Sequence, residues 1–90
     1  CTYPAEVTVP SGKMATEQEM LQASNVVNGY MDGMRAYQAC IDEEQAALGD
    51  AATPEQKAVH VKRFNASVDA MESLAARFNE ELRAYKAKHK

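Results

Sequence analysis

Apolar residues return along the C-terminal half of the chain in alternating steps of three and four: Val61, Phe64, Val68, Met71, Ala75, Phe78, Leu82 and Tyr85. Steps averaging about 3.5 mark the a/d seam of a helix that lies along another helix. Upstream, Met20, Val27, Met34, Ile41 and Leu48 recur every seven residues, with Ala23, Tyr30 and Tyr37 filling the same face. The pattern predicts two amphipathic helices.

Polar residues and glycines set the ends. Thr16 with Glu19 forms a capping box, and Glu17 adds negative charge at the positive end of the helix dipole. Gly49 can leave the helical region and stop the first helix. Thr53-Pro54-Glu55-Gln56 then starts the second, with Thr as N-cap, Pro at the first helical position and Gln closing the box. Neither Pro nor Gly interrupts the chain beyond Gln56. Helices over 16–48 and 54–87, joined by a loop over 49–53, are expected within one helical domain of residues 1–90.

A loop this short folds the second helix back antiparallel to the first. Residues whose numbers sum to about 101 or 102 should then face each other. That register sets Ile41 opposite Val61, Tyr37 opposite Phe64, Met34 opposite Val68, Val27 opposite Ala75 and Met20 opposite Leu82, with Glu44 opposite Lys57. The fold class is all-α: an antiparallel, coiled-coil-like hairpin of two helices.

Residues 1–15 are different. Pro4, Pro10 and Gly12 exclude a continuous helix, while Tyr3, Ala5, Val7 and Val9 alternate with polar residues and prolines. An extended N-terminal arm with one apolar side is expected. The first helix also carries a second stripe of small residues: Gly29, Gly33, Ala36, Cys40 and Ala47. A glycine inside a helix costs about 1 kcal/mol against alanine, so the pair implies close approach of another backbone. The arm can reach that groove. A second copy is the competing occupant, and two hairpins together would make a four-helix bundle.

Composition adds the need for a staple. A chain of 90 residues lies near the lower limit for a self-sufficient core, so a disulfide, a metal or a second chain is expected. The formal net charge is −3 with both signs mixed along the chain, which leaves no basic face for nucleic acid. No apolar run approaches the roughly 18 residues of a membrane span. A chain that starts at Cys1 reads as one from which a leader was removed, by a signal peptidase or by cloning. Its two cysteines, Cys1 and Cys40, read most simply as one disulfide of a periplasmic or secreted protein. Cys40 as a buried thiol and Cys1 as a lipid anchor are the alternatives, and lipidation would exclude the disulfide.

Candidate chemistry is sparse. His60 falls near the level of Cys40, with Asp42 and Glu43 nearby, so a Cys/His nucleophile is one reading. His60 and His89 stand at opposite ends of the hairpin, and no metal-ligand spacing occurs, so no metal or other cofactor is implied. Most of the five methionines fall on the seam as packing, with Met31 off it. Asn65-Ala66-Ser67 matches a glycosylation acceptor inside a helix, where a chance match is expected. Arg83, Lys86, Lys88 and Lys90 complement the negative end of the second helix's dipole.

The arm with Cys1, Cys40 late in the first helix, and a second helix reading VKRFNASVDAMESLAARFNEELRAYKAK resemble short exported helical-hairpin proteins of proteobacteria, a group without an assigned activity. The resemblance implies an oxidising envelope compartment and a hairpin fold, and it transfers no site residues. The expected function is a non-enzymatic interaction or structural role in the envelope. Its surface is expected around Gly29, Met31, Gly33 and Ala36, with a protein partner or a homodimer. A carrier of an apolar ligand, haem or metal would need a cavity within a dimer. An enzyme would need the Cys40 thiol free beside His60.

Overall fold

The computed structural model describes residues 1–89; Lys90, the last of the basic residues above, lies outside them. Helix α1 spans Glu17–Leu48, a single 3₁₀ turn spans Gly49–Ala51, and helix α2 spans Pro54–Lys88. Both capping boxes close as the sequence predicts. Thr16 Oγ1 accepts the Glu19 N–H and Glu19 Oε1 accepts the Thr16 N–H, each at 3.1 Å. Thr53 and Gln56 do the same at the start of α2, at 3.1 and 2.8 Å. Gly49 has φ +51° and ψ −129°, a conformation that a residue with a Cβ rarely adopts, and the chain reverses there.

The result is an antiparallel hairpin about 58 Å long and 17 by 15 Å across. Helix α1 buries the face its heptads predict: Met20, Ala23, Val27, Met34, Tyr37 and Ile41. Met34 is fully enclosed and, with Tyr37 and Ile41, packs against Phe64, Ala70 and Met71 of α2. Across the seam, Asp42 Oδ1 lies 2.8 Å from His60 Nε2, and Tyr37 receives a hydrogen bond from Arg63 Nε at 3.0 Å. The register is the expected one to within about a turn.

The face that α2 presents is not the expected one. Val61, expected opposite Ile41, is 54% exposed. Val68, Ala75 and Leu82 are only half-buried. Ser67 is instead the one described residue of α2 that is fully enclosed. At two levels the residue just before the expected one is the more buried, His60 rather than Val61 and Ser67 rather than Val68, whereas Leu74 and Ala75, and Glu81 and Leu82, are half-buried alike. Phe64 and Met71 stay in contact with α1; the valine edge rotates out. Glu44 likewise does not face Lys57, which is exposed. It meets Arg63 Nη1 at 3.4 Å and the Cys1 amino group at 3.8 Å.

The arm causes the rotation. It starts beside Cys40, passes Pro4 over Gly33, and enters the groove between the helices, where Pro4 and Val7 share a wall with Tyr30, Leu74 and Arg77. It ends on α2 at Gly12, whose N–H donates to Glu81 Oε1 at 2.9 Å. Helix α2 therefore has two neighbours and centres its contact arc between them. The arm's own apolar alternation holds only in part: Val9 is buried, but Ala5 is exposed and Tyr3 is 48% exposed, its ring set edge-on against Tyr37 at 5.1 Å.

Gly12 and Gly29 differ in what surrounds them. A Cβ on Gly12 would strike the Glu81 carbonyl oxygen and stand 2.8 Å from the Tyr85 nitrogen, whereas a Cβ on Gly29 would meet nothing within 4 Å. Gly12→Ala should therefore destabilise the oxidised protein by about 1–3 kcal/mol, as overpacking against backbone does. Gly29→Ala should stabilise it by up to about 1 kcal/mol through helix propensity. Urea denaturation of the two variants reads the opposite signs; effects of the same sign would contradict the path of the arm.

Candidate functional site

Cys1 and Cys40 form a disulfide with Cα atoms 5.6 Å apart, closing a sequence separation of 39 residues. Around it, three elements meet. Tyr3 of the arm packs edge-on against Tyr37 of α1, and Arg63 of α2 stacks over the same Tyr37 ring at 5.6 Å while donating to its hydroxyl. Glu44 faces Arg63 on one side and the arm's first residue on the other. Glu44 Oε1 also lies 3.0 Å from Cys1 Sγ. That is a packing contact, because a disulfide sulfur carries no proton to donate. The disulfide with Tyr37 and Arg63 thus clasps arm, α1 and α2 at one level.

The clasp decides what chemistry is open to the oxidised chain. Both cysteine sulfurs and the Glu44 carboxylate lie within 4.8 Å of one another. The two sulfurs are joined to each other, and a cysteine binds metal as its thiolate. Cys40 for the same reason offers no nucleophile in this state, and His60 is engaged by Asp42 rather than by sulfur.

Next to the clasp, the arm and both helices enclose an open groove of about 320 Å³ lined by Tyr3, Pro4, Val7, Tyr30, Leu74 and Arg77. Burial pushes the Tyr30 phenol above its ordinary value, and Tyr3 and Glu6 add to the shift. The groove is partly open to solvent. The carrier expected from sequence would hold its cargo in a cavity within a dimer, a different place from this groove.

The residues expected to form one interaction surface are distributed over different sides of the hairpin. Gly33 is covered by the arm, with Pro4 Cγ 3.3 Å from where its Cβ would stand. The close approach implied by a helical glycine is therefore supplied at Gly33 by the arm. Gly29, where a neighbour was also expected, is exposed, and so is Ala36. Met31 follows Tyr30, which faces the arm, and so turns about 100° away from it. It is half-buried there, on the side away from the arm, where Val61 is exposed and Val68 half-buried.

Two features of the seam were missed in the sequence. Gln38 Nε2 donates to Ser67 Oγ at 2.8 Å and lies 3.8 Å from the Met71 sulfur, while Ser67 Oγ donates to the Phe64 carbonyl at 2.6 Å. Every side-chain polar atom of the enclosed serine is thereby satisfied, and a polar pair of this kind resists sliding of the helices. The seat of Gly12 on α2 was the other. The signal available for Ser67 was its position three residues after Phe64 and four before Met71, between two seam residues.

Replacing both Cys1 and Cys40 by Ala should cost on the order of 4 kcal/mol, the loop-closure value for this separation, as read by urea denaturation with and without reductant. An unchanged midpoint would mean that the arm is held without the bond. Because the Tyr30 value is raised in the folded state, its contribution to stability is complete below about pH 10 and is lost as pH rises through the folded value. Alkaline titration followed by phenolate absorbance should show a late-ionising component that Tyr30→Phe removes. A titration curve whose late part is unchanged by Tyr30→Phe would contradict the shift.

No protein-family model matches this chain, and no curated protein or solved structure matches it.

Proposed function

We propose that this is a non-enzymatic protein of an exported, oxidising compartment, the periplasm or the exterior of a bacterium, whose role is to bind another protein. The observation that carries the reading is the strip formed by Val61, Val68, Ala75 and Leu82 of α2 with Met31 of α1. Four apolar residues at heptad spacing are left half-buried or exposed, whereas other exposed apolar side chains, such as Met14 and Leu21, form no such row. Contiguous apolar surface on a small protein is characteristic of a protein-binding face. The disulfide supports the compartment, because such bonds persist where thiols are not kept reduced. A resemblance to exported hairpin proteins of proteobacteria agrees with both.

The clasp serves this role by fixing the arm on one side of the hairpin. The opposite side is thereby left open and rigid, since α2 cannot turn its valine edge inward while the arm occupies the other flank. Binding to a rigid helical face orders few additional groups, which favours affinity.

A photo-reactive residue placed at Val68 in cells of the source organism tests the reading. A discrete cross-linked protein adduct is expected from position 68, and none from exposed Lys62, which lies about 120° further round α2. Equal labelling from both positions, or none from either, would contradict it.

A further inference from the structure

Resting on that reading, we infer that the Cys1–Cys40 disulfide controls the binding face: oxidised, it holds the valine edge of α2 outward, and on reduction the arm lifts and α2 rolls Val61 and Val68 onto α1. The chain carries two packings of α2. One is observed, with Ser67 enclosed against Gln38 and Val61 54% exposed. The other is the heptad seam, in which Val61 meets Ile41 and Val68 meets Met34. Phe64 and Met71 serve both, so the two differ by a roll of only about 50°, half of one residue step.

What selects the observed packing is local to the clasp. The departure from the heptads falls at His60 and Val61 and at Ser67 and Val68, the two levels that flank Arg63, whereas Leu74 and Ala75, and Glu81 and Leu82, share their burial. Arg63 is the residue by which α2 joins the clasp, through the Tyr37 hydroxyl and Glu44. Tyr37 is braced in turn by Tyr3, which lies two residues from the disulfide. Little else holds this end of the arm. Among the described residues no backbone–backbone hydrogen bond ties residues 2–10 to either helix. Thr2, Tyr3, Ala5, Glu6 and Thr8 are exposed, Pro4 and Val7 are half-buried, and the first buried residue of the arm is Val9.

Reduction proceeds by thiol–disulfide exchange with a dithiol reductant. One thiolate of the reductant attacks a sulfur of the Cys1–Cys40 bond, which breaks; a mixed disulfide forms, and the other cysteine leaves as a thiolate and takes up a proton. The reductant's second thiol then displaces the remaining cysteine. Two electrons have passed to the protein, which gains two thiols, and the reductant has become a disulfide. With the bond gone, residues 1–8 leave the groove, Tyr37 loses the ring that braces it beside Arg63, and burial of two valine side chains draws α2 over. Ser67 and Gln38 exchange their mutual hydrogen bond for bonds to water, which costs little. The valine edge is then closed to a partner.

Proton–proton Overhauser contacts of the full-length protein, with and without dithiothreitol, test the inference. The reduced protein should lose the contacts from Pro4 to Gly33 and from Gln38 to Ser67 and gain those from Val61 to Ile41 and from Val68 to Met34, with its far-UV circular dichroism unchanged. A reduced protein that keeps the oxidised contacts, or one that loses its helices, would overturn the control and leave the disulfide as a staple alone. Val61→Lys supplies a second readout, at a position already exposed in the oxidised protein. It should make the disulfide roughly tenfold harder to reduce at equilibrium with dithiothreitol, because the packing reached on reduction would bury a charge. An unchanged equilibrium would overturn the second packing. The photo-cross-link at position 68 separates this inference from the reading beneath it. An adduct formed equally by oxidised and reduced protein leaves the binding role standing without its control, whereas no adduct in either state removes the binding face even where the contacts change.

Discussion

Both ends of the arm are fixed, and the rest of the structure depends on that. At one end Cys1 is bonded to Cys40 of α1; at the other, Gly12 is pressed against the backbone of α2 at Glu81 and Tyr85. Between these points an extended segment must cross from one helix to the other. It fills one flank of the hairpin with Pro4, Val7 and Val9 and makes a third element of what would otherwise be a pair. A 90-residue hairpin has little interior of its own, so a flank filled on one side bears directly on which residues of α2 face inward.

Most of the architecture was legible in the residues. The two capping boxes, the positive φ at Gly49 and the buried face of α1 all arise from local signals whose physics does not depend on distant neighbours. The disulfide was legible as one of three readings of two cysteines. The face of α2 was not. Its heptads are real, but a heptad states only that a helix meets partners at that spacing. It does not say which edge meets which partner. The a/d row of α2 divides: Phe64 and Met71 pack on the Met34 cluster of α1, while Val61 is exposed and Val68, Ala75 and Leu82 are half-buried. Ser67 and Gln38 enter the seam because they satisfy each other, a pairing that spans 29 residues and cannot be read from either residue alone.

The glycines show the same limit. A helical glycine signals economy of space without naming the neighbour. Gly33 does have one, in Pro4; Gly29 has none; and the closest approach among the glycines is at Gly12, outside either helix, where no periodicity marks it. The candidate surface moves accordingly. Gly33 marks the flank that the arm occupies, while Met31 and the valine edge mark the other flank. A disulfide that holds one side closed thus leaves the other side as the proposed binding surface.

The arm, by holding one flank, turns α2 so that Ser67 faces α1 and the valine row faces outward. Proton–proton Overhauser contacts in the dilute, oxidised protein test this most directly. The account predicts contacts from Pro4 to Gly33, from Gly12 to the backbone of Glu81 and Tyr85, and from Gln38 to Ser67, with none between Val61 and Ile41. Contacts from Val61 to Ile41 and from Val68 to Met34, with the arm making none, would mean that α2 packs by its heptads alone, and the account would be wrong.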